Sequence, residues 1–580
     1  MRFGVISEIE TAARRGRTKV FWWSVALAGA FAFRLLFGLS CDFFFEDQTQ
    51  IFLIGLRYFA TGEWPFFGPD VVWTHSEVPG ALQGLLVGIP LRLVPLPESP
   101  FVLLNLLSLA AIAAFAWYLS VRFPRSPRWL LWSWLLTIPW TLQFSTTIIN
   151  TSYVLPASLV FFIGFFESLP VFRVGVIPPA AAHALMGAAI VWVMQLHMSW
   201  PLLLPFAALA WIGGARRAPP ASPPAARIHR GRVGALLVNA AAFVAGALIV
   251  GALLLPTWWR YGLQAGGGGT LRNLHVHFVN PWAIVTTFAR FLSFASLEVN
   301  RFVATDGAKR LAFFERHLWL APLGALVWLV GTIQPLWLAV EAFRRRDRSD
   351  GWRAIRWIVA GCVALVYASY GFVIEPPQAH AFYVLAPIAF MFAAYVWSFV
   401  DSPRARQVAA VVVVLNIAFH AGLAWAQAPE QSMYRNRQPA AAAVALKQPE
   451  MFAHRRPFAV GGGPLALQDP SRPYDPTRDL VADAARYQVG FRGSTDWTVT
   501  LRNLNPSVAF RDLRYITTYT RADGTAVEQR SEVIKDIFQP GAVRALTIND
   551  GFVRVPFAAA TFRIVAAEAL VPVPQARYNP

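Results

Sequence analysis

The chain has 580 residues, 56% of them hydrophobic and 14% charged, with 23 Trp and a formal net charge of +19. Soluble globular proteins carry about a quarter of their residues charged, so this composition excludes that class. Most Lys and Arg sit in short loops between apolar runs, a membrane-topology pattern rather than a nucleic-acid footprint.

Spanning a bilayer takes about 20 mostly apolar residues, because backbone polar groups must be satisfied within the segment. Arg14, Arg15, Arg17 and Lys19 precede the apolar stretch 20–39. That stretch is too long for a signal peptide and lacks a small-x-small cleavage site, so an uncleaved first span is expected. Further spans are expected at 100–121, 129–147, 153–169, 180–196, 199–213, 233–255, 317–341, 354–374, 380–400 and 407–427. Two other stretches read as amphipathic or re-entrant: Gly80 to Pro95, broken by Pro90, and Trp282 to Val299, which carries Arg290 and Glu298. With both kept on one side, the basic loops Arg122-Arg125-Arg128, Arg216 to Arg232, Arg344 to Arg353 and Arg404-Arg406 share one face. The excess of Lys and Arg makes that face cytoplasmic. Eleven spans follow, with a cytoplasmic N-terminus. Segments 40–99, 148–152, 256–316, 375–379, the turn near 197 and everything after 428 lie outside. Cys41 and Cys362 are the only cysteines; Cys362 lies in an apolar run, so no structural disulfide between them is expected.

The expected fold is an all-α polytopic membrane domain over 1–428, a Pro-rich connector over 429–485, and a small all-β domain over 486–580. Pro429, Pro439, Pro449, Pro470 and Pro473 mark the connector. Trp497 to Leu501, Tyr515 to Tyr519 and Phe562 to Val565 alternate as strands do, and Ala522-Asp523-Gly524 signals a hairpin. Short strands at this spacing predict an immunoglobulin-like sandwich. It holds no catalytic constellation and reads as an accessory or interaction module.

The first outer loop carries the most chemistry. It opens Cys41-Asp42-Phe43-Phe44-Phe45-Glu46-Asp47-Gln48, with two adjacent carboxylates at the membrane surface. Ile51 to Pro65 fits an interfacial helix ending at Gly62, followed by Asp70, His75 and Glu77 before Pro79-Gly80. Spacing alone leaves two readings open: solvated flanking charges, or carboxylates whose pKa is raised beside hydrocarbon and which act as general bases.

Arg34 late in the first span, Glu46-Asp47 just beyond it, an interfacial helix running to Gly62-Glu63-Trp64-Pro65, and Pro79-Gly80 opening a short apolar helix together resemble the first loop of the GT-C membrane glycosyltransferases. Within them the likeness is to family 39, which includes the protein O-mannosyltransferases and lipid A aminoarabinose transferases. It covers residues 20–200; the later spans resemble the family by count and topology. The resemblance implies a GT-C-like fold and transfer of a sugar from a polyprenyl-phosphate donor to an extracytoplasmic glycan, lipid or protein. Asp47, with Glu46 beside it, would match the acidic catalytic residue. The chain departs from the pattern at Thr146 to Ser152, where many relatives carry a second carboxylate and this sequence has Asn150. Asn donates hydrogen bonds but cannot hold a charge, so a divalent metal ion stays open as a cofactor.

A lipid phosphate calls for cations and donors on the same face. Arg34, Arg57, His75, His197 beside Gln195, Arg260, Arg272, His275, His277 and His380 are available, and Glu77 and Asn150 join them as substrate-binding candidates. His275-Val276-His277 lacks further ligands at zinc-site spacing. Gly266 to Gly269 lacks the Lys-Ser/Thr of a phosphate loop and reads as a hinge.

A transporter or lipid flippase is the rival reading, and it predicts charges and broken helices near mid-membrane. A non-catalytic scaffold displaying the β-domain is a third. The Ala, Arg and Pro bias suggests a high-GC bacterium, hence the inner membrane with a periplasmic catalytic face.

Overall fold

The structure, a computed structural model, describes residues 2–42, 46–71, 76–215, 225–262, 303–304, 307–344, 349–371, 379–447, 475–489, 494–505, 508–534, 538, 540–553 and 556–569. Two compact units emerge, one running to Ala441 and the other holding the C-terminal strands.

Among the described residues, eight helices are long and apolar enough to cross a membrane: Phe21–Ser40, Ser99–Arg122, Asn150–Ser168, Val233–Tyr261, Leu318–Arg344, Asp350–Tyr370, His380–Trp397 and Pro403–Arg437. Each answers to one of the eleven expected spans. The expected spans at 180–196 and 199–213 correspond to shorter apolar helices, Pro179–Met194 and Trp200–Gly213. The span expected at 129–147 is two short helices, Arg128–Thr137 and Pro139–Thr146. Pro139 has no N–H and pushes its predecessor out of the helical region; Ile138 is accordingly extended at ψ 147°.

Elements are numbered α1 (Arg2–Ser40), α2 (Glu46–Thr61), β1 (Phe67–Val71), β2 (Ser76–Pro79), α3 (Leu82–Leu93), α4 (Ser99–Arg122), α5 (Arg128–Thr137), α6 (Pro139–Thr146), α7 (Asn150–Ser168), α8 (Pro179–Met194), α9 (Leu204–Ala215) and α10 (Ala225–Gly251). They continue as α11 (Leu255–Tyr261), α12 (Gly307–Arg316), α13 (Ala321–Arg344), α14 (Asp350–Tyr370), α15 (Ala386–Trp397), α16 (Pro403–Gln431) and α17 (Met433–Lys447). Burial ranks them. The apolar window of α7 is 89% buried and that of 380–397 is 83%, whereas that of 233–261 is 11%. Thus α7 and α15 form the centre and α10 the rim. Trp22, Trp259, Trp357 and Trp425 are exposed on the apolar helices.

Close helix crossings use glycine. A Cβ on Gly187 would overlap the Phe243 carbonyl, and one on Gly246 the Ala184 carbonyl, so α8 and α10 touch backbone to backbone. Gly84 and Gly88, four apart on α3, leave room for the Ile54 side chain and for the Gly55 carbonyl and Tyr58 side chain of α2. The interfacial helix expected to end at Gly62 does so: α2 stops at Thr61, and Gly62 takes φ +76° while donating to the Tyr58 carbonyl.

The stretch read from its prolines as a connector begins as helix. Pro429 lies inside α16, and α17 runs on to Lys447. Membrane helices tolerate an internal proline where neighbours satisfy the freed groups, so Pro429 and Pro439 do not mark an irregular chain; Pro449, Pro470 and Pro473 lie outside the described residues. Trp282–Val299 lies outside the described residues.

The strands of the second unit begin with β3 (Leu480–Val489), a little before the expected 486, followed by β4 (Ser494–Asn503), β5 (Phe510–Thr520), β6 (Ala526–Ile534), β7 (Val543–Phe552) and β8 (Ala559–Ala569). They form two antiparallel sheets, ordered β3-β4-β7 and β6-β5-β8. Inward positions of both share one core, including Trp497, Val499, Leu501, Phe510, Leu513 and Ile564. The hairpin at Asp523-Gly524 is present. Gly524 takes φ +82°, and Asp523 accepts the Thr525 N–H at 2.9 Å.

Replacing Gly246 by Leu should force α8 and α10 apart. We expect a loss of about 2 kcal/mol, typical of overpacking, read as a lower melting temperature in detergent; an unchanged melt would refute the close crossing.

Candidate functional site

The site is built where α1 ends. Asp42, fully buried, accepts Arg437 Nε at 2.7 Å and Nη2 at 2.8 Å, a forked ion pair across 395 positions of sequence. The same guanidinium donates to the carbonyls of Ile148, at 3.2 Å, and Gln48, at 3.4 Å. The Phe52 and Phe101 rings each lie 5.4 Å from its central carbon. Asn436 Nδ2 donates to the Asp42 carbonyl, and the Asp42 N–H to that of Gln431. Burial pushes the Asp42 carboxyl up from its ordinary range, and Arg437 pulls against it.

Arg437 therefore gathers three segments: the turn after α1, the first turn of α2, and the residues leading into α7. Asp47 lies half-buried in that first turn of α2, where the helix N-terminus favours negative charge. Glu46 begins the same helix. Asn150 begins α7 and accepts the Thr151 N–H at 2.8 Å. Tyr153, one turn on, is fully buried, with its hydroxyl unpartnered and in electrostatic reach of Arg437.

Other candidates reach the same end of the unit. Trp192 Nε1 donates to the Tyr153 carbonyl at 2.9 Å, tying α8 to α7 just before Gln195 and His197. Gln195 Nε2 donates to the Val250 carbonyl, while its Oε1 is buried beside Gly80, whose φ of +106° and lack of Cβ admit it. His380 packs its ring on Phe144, 5.9 Å away, close to the residues before α7. Thr257 and Arg260 hold Phe66 of the first loop.

His197 stands in the turn after α8. Its Nδ1 accepts the Ser199 N–H at 3.1 Å and meets Ser199 Oγ at 2.8 Å, which leaves the proton on Nε2. Burial pushes the imidazole down to about 4, so it offers a neutral donor, not a cation.

Three expected ligands face other partners. Arg34 is fully buried in α1, with Nη1 on the Leu136 carbonyl at 2.8 Å and Nη2 on the Thr141 carbonyl at 3.1 Å and on Ser145 Oγ. Arg57 is exposed and paired with Glu63 at 2.7 Å. Glu77 is exposed on β2, opposite Asp70. His75, Arg272, His275, His277 and the glycine run lie outside the described residues. Asp42, Arg437 and Tyr153 were not among the expected site residues. Asp42 was visible as a third carboxylate in the first loop, but nothing in one sequence couples it to Arg437. Among the described residues, no three His, Cys, Asp or Glu side chains gather as a metal centre requires.

No protein-family model matches this chain, and no curated protein does. Among solved structures, the crystal structure of ArnT from Cupriavidus metallidurans bound to undecaprenyl phosphate aligns at a TM-score of 0.42 and 12% identity, over 73% of this chain and 80% of that one.

The His197 imidazole sets a pH dependence. The unfolded side chain titrates near 6.5 and the folded one near 4, so the unfolded chain takes up the proton first. Its contribution to stability is complete above about 6.5 and falls as pH drops toward 4. Melting temperature in detergent should decline from pH 7 to pH 5, and His197→Asn should flatten part of that decline; equal slopes would refute the neutral imidazole.

Proposed function

We propose that this protein is a membrane glycosyltransferase that moves a sugar from a polyprenyl-phosphate donor to an extracytoplasmic acceptor, with inversion at the anomeric carbon. One observation carries the reading. The acidic first turn of α2 is held by Arg437 against the start of α7, at the end of the unit that also gathers Gln195, His197 and His380. The first-loop resemblance over residues 20–200 supports it.

In this mechanism Asp47, aided by Glu46, accepts the acceptor hydroxyl's proton as its oxygen attacks the anomeric carbon. The bond from that carbon to the lipid phosphate breaks, and the departing phosphate keeps the electron pair. General-base assistance contributes about 10²- to 10⁴-fold. Asn150, Gln195 and the Nε2–H of His197 act as neutral donors toward sugar hydroxyls or phosphate oxygens. The apolar helices place the reaction beside the bilayer, where the lipid part of the donor resides. By this reading the N-terminus is cytoplasmic, and the site and the β-domain face the periplasm of a bacterial inner membrane. The acceptor is a glycan, glycolipid or protein.

Mass spectrometry of glycans and glycolipids from cells with and without the gene should reveal one missing glycoform. Asp47→Asn should fail to restore it, its transfer rate reduced at least about 100-fold while the protein remains inserted. Full restoration by that variant would overturn the assignment.

A further inference from the structure

Arg437 lies in α17, at the end of the apolar stretch Pro403–Arg437 and far in sequence from the first loop, yet it is fully buried. Its donors divide between two segments that the proposed reaction must hold in register. Nη1 reaches the carbonyl of Gln48, the residue after Asp47. Nη2 reaches both Asp42 and the carbonyl of Ile148, two residues before Asn150. The fork on Asp42 fixes the plane of the guanidinium, so its remaining N–H groups can point only where those carbonyls stand. Phe52 and Phe101 flank the cation. A lysine has neither the fork nor enough donors in fixed directions to reproduce this.

We propose that Arg437 is a positioning residue: it sets the start of α2, with Glu46 and Asp47, against the start of α7, with Asn150. The start of α17 thereby completes the site. This rests on the transferase reading above for its catalytic consequence, though not for its geometry.

Two variants in full-length protein test it: Arg437→Lys, and Asp42→Asn combined with Arg437→Gln, which removes both charges together and leaves no lone buried ion. Hydrogen exchange followed by mass spectrometry should rise at least tenfold in residues 46–52 and 147–153 together, with α8 and α10 unchanged. Unchanged exchange in either segment overturns the proposal, and so does a rise throughout the unit, which would make Arg437 a general support of the fold. In the transfer assay, kcat should fall ten- to a hundredfold with KM for the donor within threefold; a wild-type kcat overturns the catalytic role. If Asp47→Asn itself leaves transfer intact, the transferase reading fails, and the exchange data alone judge the clamp.

Discussion

A backbone carbonyl surrounded by hydrocarbon has no water to accept from, and this constraint decides where the polar side chains inside the helical unit go. Its sharpest expression is at Pro139. An unbroken helix would satisfy the carbonyls of Leu135, Leu136 and Thr137 with the N–H groups four residues on. Pro139 removes one such donor and the extended Ile138 displaces the others. The replacements are the Thr141 hydroxyl on Leu135 at 2.7 Å, Arg34 on Leu136, and Asn416 Nδ2 on Thr137 at 2.6 Å. Those donors come from α6, α1 and α16, so one missing N–H ties three helices to α5. A small cleft beside the break is lined by Trp134, Pro139, Val330 and Asn416 among others.

The Asp42–Arg437 pair belongs to a different class of interaction. Taking two charges out of water costs about as much as their attraction returns, so the pair adds little net stability. Its value is specificity. An unpaired Asp42 or Arg437 would be a lone buried ion, which makes any arrangement that separates them strongly unfavourable. The first loop thus has one permitted place relative to α17. Elsewhere a carboxylate does a similar service with backbone alone: Glu167, fully buried, accepts the N–H groups of Val174, Gly175 and Val176 at 2.8 to 3.1 Å and closes the turn between α7 and α8.

Features set by local chemistry were legible in the sequence. Gly62 ended α2, Asp523-Gly524 made its hairpin, and the alternation Trp497, Val499, Leu501 faced the core, because each depends on residues a few positions apart. Eight of the expected spans also appear as long apolar helices. What failed depended on distant partners. Hydropathy over 129–147 averages across Pro139 and reads one helix where there are two. The carbonyls that Arg34 serves, Leu136 and Thr141, lie more than 100 positions away and carry no local signal in the sequence. Pro429 and Pro439 read as a break because proline statistics from soluble proteins ignore helices whose neighbours supply the missing bonds. Arg437, between those prolines, had no local signature: its significance lies wholly in Asp42, 395 positions earlier in the chain.

The broken helix and the buried Arg34 are also what a transporter would predict, and their environment tells the two readings apart. A transport site leaves unwound carbonyls and half-helix ends open toward a cavity so that substrate or ion can take the place of water. At Pro139 the three displaced carbonyls already have protein donors, and Arg34 directs both terminal nitrogens to protein oxygens. That makes this break a structural joint. The unpartnered buried groups that bear on a ligand, the Tyr153 hydroxyl and Gln195 Oε1, occur instead at one end of the unit, with Asp47 and Asn150. Unpartnered polar groups beside Asp47 and Asn150 suit chemistry on a substrate held there, whereas the break at Pro139 leaves none of its displaced carbonyls open to one.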